Sequence, residues 1–434
     1  MVKFGKAYHG EGMPRLLLIS YYFPPCGGAA VQRWLRLLSE IESIAWEATV
    51  IAPHDGMWML RDDTLLPKLP AQIKVLRNGV HHGLHLWKLI RPQKSIPQGE
   101  LDSLVSGSFI DRLLLWIRLN LIIPDLRKNW NKAALRCAIA ELRSNDYDVI
   151  ISTGPPHSTH LVGKALAQRT KVAWVADFRD PWTKIHYLQN TKPMFLSRAI
   201  HSFLERMIVS TADLTLSVSQ SIVNELPAGN KAVLYNGYNQ KDFEGITYLQ
   251  THVFRIRYIG QITTGQDLSP FIQLLVSSFA NAKIELEFIG TKLPNDVAKQ
   301  IPHLPLKIHT TSLLSHQEAL TRMVNSEMLL LIINDAKFNM GIITTKLFEY
   351  IGSKTPILCI GNPACEAAMI IAKYNAGLCL DYNDQSGWKD FIANQYEHWQ
   401  QGRYTKNTFD TSPLSTQVQI HELKHYLEMI CSKR

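Results

Sequence analysis

Twice along this chain of 434 residues, short apolar runs bounded by turn residues alternate with segments whose apolar residues recur at helical spacing. The first series of runs falls at 16–20, 48–51, 149–152, 172–176, 214–218 and 232–235, and the second at 255–259, 285–289, 306–309, 328–333, 356–360 and 377–380. Such alternation is the mark of parallel strands wrapped by helices. The length also exceeds what one hydrophobic core fills. Between the series, Asn236-Gly237 is a strong turn signal with a polar tail reaching Phe243. The expected architecture is therefore α/β, with two Rossmann-like domains facing a cleft. They span 1–243 and 244–405, and a C-terminal helical segment, 406–434, is expected to pack back on the first. Ligands of such sheets bind beyond the carboxyl ends of the strands.

Composition narrows the classes. With 46% hydrophobic and 19% charged residues the chain has the makings of a large buried core, not of disorder. A net charge of +9 favours anionic partners. No block of five Lys/Arg and no finger spacing accompanies that charge, which argues against nucleic acid. Six cysteines without a CxxC pair suggest neither a disulfide framework nor a zinc site, and fit a reducing compartment. The first fifteen residues lack the apolar stretch of a signal peptide, so a cytoplasmic location is expected.

The motifs follow the strand candidates. After 16–20 comes a glycine loop opening a helix, where Gly27 and Gly28 would let a ligand's diphosphate approach the free helix amides. The alternative is a purely geometric turn, and the full GxGxxG pattern is not met. In the loop after 149–152, His157 is placed to donate to a phosphate or sugar hydroxyl, or else is structural. His160, inside the following helix pattern, reads as structural. The densest polar group of the first half is Asp177, Arg179 and Asp180 at the end of 172–176, which is either a reaction-centre cluster or an Asp/Arg-bridged turn stopped by Pro181.

In the second half, Thr344 or Thr345 is the expected N-cap of a helix whose first turn holds Lys346. The helix dipole disfavours lysine there unless an anion is bound, so Lys346 points to phosphate. Glu349, three residues on and on much the same face, is an acceptor for ribose hydroxyls or simply an ion-pair partner of Lys346.

Taken in order, YFPPCGGAAVQRW, STGPPHSTH, ADFRDPW, LYNGYNQKDF and TKLFEYIGSKTPIL resemble the GT-B family of nucleotide-sugar glycosyltransferases, particularly its bacterial group-1, GT4-like class, over roughly residues 15–382. The resemblance implies a nucleotide-diphosphate sugar held mainly by the second domain, with Glu349 on the ribose and the amides near Thr344 and Thr345 on the diphosphate. Gly27 and Gly28 would border the reaction centre, and Asp177, Arg179 and Asp180 would face it. It further implies an acceptor in the first domain, retaining transfer, no bound metal and no cofactor besides the donor. Two departures stand out. The earlier of the family's paired glutamates would fall at Gly341, and Gln261 and Gln266 stand near the places where relatives carry an Arg and a Lys. Neutral glutamines leave more of the leaving group's charge to Lys346, the helix amides and Arg179.

The stretch 109–124 is apolar, basic and contains Trp116, which suits either the surface of an anionic membrane or a helix on the domain's own core. On the first reading the acceptor is a glycan or lipid-linked precursor of a cell-surface polysaccharide or lipopolysaccharide. Trp58, Trp182 and Tyr187 are aromatic faces for sugar stacking if they are not buried. Two rival functions use the same fold: a nucleotide-sugar 2-epimerase, and a non-catalytic glycan-binding or scaffold subunit.

Overall fold

The computed structural model describes residues 12–56, 58, 60–79, 108–185, 191, 193–262, 266–291, 293, 303–335 and 340–433. It divides the chain into two units, Met1–Tyr235 joined by Thr416–Arg434, and Asn236–Ser415.

The first unit is built on seven parallel strands: β1 (Arg15–Ile19), β2 (Glu47–Pro53), β3 (Lys74–Asn78), β4 (Val149–Gly154), β5 (Ala173–Phe178), β6 (Leu214–Ser217) and β7 (Lys231–Val233). Their order across the sheet is β3-β2-β1-β4-β5-β6-β7. Its helices are α1 (Ala29–Ser39), α2 (Phe109–Asn120), α3 (Asn131–Ser144), α4 (Thr159–Thr170), α5 (Phe195–Thr211) and α6 (Gln220–Glu225). Because helices cover both faces, the central strands are buried throughout, and successive side chains feed opposite cores. Leu16 and Leu18 join Trp34 and Leu38 of α1, while Leu17 and Ile19 join Ala134 of α3 and Leu166 of α4.

In the second unit six parallel strands, β8 (Phe254–Ile259), β9 (Ile284–Ile289), β10 (Lys307–Thr311), β11 (Met328–Ile332), β12 (Ile357–Ile360) and β13 (Gly377–Leu380), lie in the order β10-β9-β8-β11-β12-β13. They are joined by α7 (Ser269–Phe279), α8 (His316–Val324), α9 (Thr345–Gly352), α10 (Glu366–Lys373) and α11 (Gln385–Gln400). Strand order reverses between β1 and β4 in the first unit and between β8 and β11 in the second, so the loops leaving those strands are where each sheet offers a ligand crevice.

All twelve expected strands are present, and β3 is an addition. Its sequence, KVLRN, is a half-exposed edge too polar to stand out by apolarity. The division falls before residue 243, because the segment after Tyr235 is bound into the second unit. There Tyr238 donates its amide to the Leu414 carbonyl, and its ring meets Phe243 edge-on at 5.8 Å. Residues 406–415 also stay with that unit: Lys406 donates to the Ser326 carbonyl at 2.7 Å and to Thr355 Oγ1 at 2.6 Å. The chain then returns, and α12 (Thr416–Cys431) buries Ile420, Leu423, Leu427 and Ile430 in the first unit's core. Among the described residues, no helix is long and apolar enough to cross a membrane.

Leu423 is fully buried, so Leu423→Ala removes core volume that neighbours cannot refill. We expect it to lower stability by about 2–5 kcal/mol in urea unfolding monitored by circular dichroism; a loss under about 0.5 kcal/mol, the scale of a neutral surface change, would mean that α12 is not part of the folded core.

Candidate functional site

The candidate residues fall into two groups, one at the carboxyl end of each sheet. In the first unit the strand-to-helix loop after β1 gives its two glycines different tasks. A Cβ on Gly27 would lie 2.9 Å from the exposed Leu60 side chain, which would have to shift to admit it. Gly28 is exposed, takes φ +90° as the N-cap of α1, and has open space where a side chain would go. That leaves the amino end of α1 accessible, with no acidic residue in its first turn.

Asp177, on β5, differs from what its motif suggested. It has no exposed surface. Arg33 of α1 donates to Oδ1 from Nε at 3.2 Å and from Nη2 at 3.0 Å, while Trp34 Nε1 and Thr153 Oγ1 each donate to Oδ2 at 2.8 Å. Burial alone would raise its pKa, but Arg33 and these hydrogen bonds outweigh it and hold the carboxyl below the ordinary aspartate value. The carboxylate thus ties α1 to β4 and β5, and it reaches a ligand only through the groups it positions. Arg33 and Trp34 escaped notice in the sequence, where they read as ordinary helix residues.

Arg179 is half-buried, and each of its three nitrogens donates to a backbone carbonyl: Nε to Gly154 at 3.2 Å, Nη2 to Pro155 at 2.7 Å, and Nη1 to Ala30. It therefore laces the loop after β4 to the start of α1. Burial lowers its pKa, offset in part by Asp180 and Asp177. Asp180 is exposed.

His157 is buried and stacks on Trp182 at 4.9 Å, with the rings 5° from parallel. Neither ring nitrogen makes a well-formed hydrogen bond, although the Pro181 backbone lies within electrostatic reach. His160 stacks on Phe178 at 4.5 Å and has Nδ1 3.0 Å from Ser152 Oγ. Burial drives the His157 pKa well below 6.5 and that of His160 to about 3, so both rings are neutral at physiological pH. A Cβ at Gly154 would strike both rings, which is why glycine precedes the prolines there. Trp182 is buried, Trp58 is partly buried, and Tyr187 lies outside the described residues.

In the second unit, Thr344 occupies the N-cap of α9 but makes no capping bond, and its hydroxyl is buried without a hydrogen-bond partner. Thr345 opens the helix. Lys346 Nζ donates to Tyr258 OH at 2.8 Å and lies 4.3 Å from that ring's centroid. Gly260, at φ +115°, makes room for it, since a Cβ there would come within 2.9 Å of Lys346 Cδ. Burial lowers the Lys346 pKa from 10.5 to about 8, against the pull of Glu349. Glu349 Oε1 sits 3.0 Å from His316 Nε2 of α8. Lys346 and Glu349 are thus each engaged by a partner that sequence spacing does not reveal, Tyr258 and His316.

Gln261 is exposed, and its carbonyl accepts from Tyr258 OH at 2.9 Å. Gln266 donates from Nε2 to the Ile332 carbonyl at 2.5 Å, joining the loop after β8 to the end of β11. Gly341 is half-buried in the turn before α9.

No family model matches the sequence, and no curated protein matches it. Solved structures do. HepE from Anabaena, in complex with UDP and glucose, superposes with a TM-score of 0.59 at 12% identity, over 96% of this chain and 100% of that one. Sucrose-phosphate synthase from Thermosynechococcus elongatus gives 0.58 at 12% identity over 97% of both chains. A protein described as a UDP-N-acetylglucosamine 2-epimerase, from Listeria monocytogenes, gives 0.53 at 10% identity over 98% of both. At such identities the likeness establishes the fold: two Rossmann-like α/β units, as in GT-B glycosyltransferases.

Removing the Asp177 carboxylate strands the Arg33 guanidinium, which is only 1% exposed. Asp177→Ala is expected to cost about 3–5 kcal/mol of stability in denaturant titration, the range for breaking one side of a buried ion pair, whereas the exposed Asp180→Ala is expected to cost less than about 0.5 kcal/mol.

Proposed function

We propose that the chain is a glycosyltransferase that takes a nucleotide-diphosphate sugar on its second unit and passes the sugar to a glycan or lipid-linked acceptor. The observation that carries this reading is the amino end of α9. A lysine stands in its first turn, where the dipole disfavours a cation, beside a buried threonine hydroxyl with no partner. Both lie in the helix that follows β11, one of the two strands at which the sheet order reverses. A diphosphate placed there would pair with Lys346, accept from the α9 amides and satisfy the Thr344 hydroxyl.

Glu349 would accept from the ribose, in competition with His316 or bridged by it. With glutamines at 261 and 266, charge on the departing diphosphate falls to Lys346 and the helix amides, without a metal ion. On the first unit, Gly28 and the open end of α1 would form the acceptor side, with Arg179 holding the loop after β4 on which His157 lies. The resemblance to the GT4-like class favours a retaining outcome and an acceptor belonging to cell-surface polysaccharide or lipopolysaccharide synthesis.

The test is a thermal-shift and calorimetric screen of UDP-, GDP-, ADP- and CMP-linked sugars, since a ligand selective for the native state raises its melting temperature. One nucleotide diphosphate should bind saturably. Glu349→Ala should weaken it about 10- to 100-fold, the scale of a charge-assisted hydrogen bond, and Lys346→Met should lower turnover roughly 100-fold. No binding by any nucleotide sugar would leave the scaffold-subunit function instead.

The Lys346 pKa adds a pH signature. Phosphate needs the protonated amine, whose pKa is about 8 without ligand and must rise when the anion binds. Affinity should therefore be flat below pH 8 and weaken by up to about tenfold per pH unit above it. In Lys346→Arg that slope should vanish, because guanidinium keeps its proton; an unchanged slope would place the titrating group elsewhere.

A further inference from the structure

The first three turns of α5 are amphipathic in the inverted sense, before Ile208 and Val209 turn into the core. On α5 the stripe Ser197, His201 and Glu205, at i, i+4, i+8, is buried, while Leu196, Ile200 and Phe203, at i, i+4, i+7, are turned out to solvent. The buried polar groups are accounted for: Ser197 Oγ donates to the Leu119 carbonyl at 2.6 Å, Trp182 Nε1 donates to His201 Nδ1 at 3.0 Å, and Glu205 accepts from Thr183 Oγ1 at 2.6 Å. The inversion is therefore a specified arrangement. On α2, which buries Leu115 and Leu119, a second apolar stripe, Phe109, Leu113 and Trp116, nevertheless faces outward.

The helices meet where the end of α2 reaches the start of α5, with the Met194 amide donating to Asn120 Oδ1 at 2.7 Å. Around that junction Trp116, Leu121, Met194, Phe195 and Leu196 are all exposed, Phe195 by 79%. An apolar surface of this extent marks an interaction site.

Charge identifies the occupant. The exposed charged residues of α2 and α5 are Arg112, Arg198 and Arg206, whereas the only carboxylates on the two helices, Asp111 and Glu205, are buried and hydrogen-bonded. Large apolar side chains with a tryptophan, rimmed by arginine and without an exposed acid, match the acyl boundary and phosphates of an anionic bilayer. We propose that the α2–α5 face is the surface by which this chain docks on an anionic lipid membrane, inserting the two apolar stripes at headgroup depth. This deepens the transferase reading by naming where a lipid-linked acceptor would be met, and it rests on that reading for the acceptor alone.

The full chain is sedimented with phosphatidylglycerol and with phosphatidylcholine vesicles. Binding is expected to the former, weakening as salt rises. Combining Phe195→Ser with Phe203→Ser should reduce it about tenfold or more, while the nucleotide-induced melting shift stays, which shows that the variant is folded. Brominated lipid should quench wild-type tryptophan fluorescence by a fraction that disappears in the conservative Trp116→Phe. The proposal is overturned if the wild type stays off phosphatidylglycerol vesicles, if the double variant binds as well as wild type, or if the patch proves to mediate a dimer, detected by sizing, that excludes vesicles. Vesicle binding without any nucleotide binding would remove the transferase reading and leave the membrane face standing.

Discussion

The Asp177 carboxylate is the point on which the first unit depends. Enclosing a charge in an apolar sheet end is costly, and here the cost is offset by a guanidinium, an indole N–H and a hydroxyl arriving from α1 and β4. Arg33 in turn spends Nη1 on the Leu234 carbonyl at 2.8 Å and the Tyr235 carbonyl at 3.2 Å, the last residues before the chain leaves the unit. One buried ion pair therefore fixes the start of the first helix, two central strands and the exit of the chain. Loops that would otherwise wander at the crevice inherit their positions from it, as Arg179 does by holding Gly154, Pro155 and Ala30.

The second unit solves a different problem. Its lysine is drawn from water to the start of a helix, where it rests on a tyrosine hydroxyl and ring face. This arrangement neutralises nothing, and the lowered pKa records the deficit. Glu349, one turn on, offsets it only in part. Tyr258 is itself set by the loop it holds, through the Gln261 carbonyl.

What could be read from the sequence follows from periodicity. Strands buried on both faces announce themselves as apolar runs, so the two sheets were legible, whereas β3, with Lys74, Arg77 and Asn78 on a half-exposed edge, carries no such signal. The site was legible where a residue type is out of place locally, as Lys346 is in a first helical turn. It was illegible where meaning depends on a distant partner. Arg33 and Asp177 are 144 positions apart and Lys346 and Tyr258 are 88 apart, and no spacing rule connects them. The exposed stripe of α5 was hidden for a related reason: its apolar residues look like core until Ser197, His201 and Glu205 are seen to occupy the inside.

The return of α12 carries a consequence for how the chain is made. The second unit is an insertion within the first, and its two crossings run side by side, with Tyr238 bridging to Ser415. During synthesis the inserted unit is complete before the residues that finish its host have left the ribosome. The host's sheet must wait, with the core surface destined for Ile420, Leu423 and Leu427 open to water until α12 emerges. A chain interrupted before α12 would thus carry a second unit that is whole and a first unit that is not, a product for proteases.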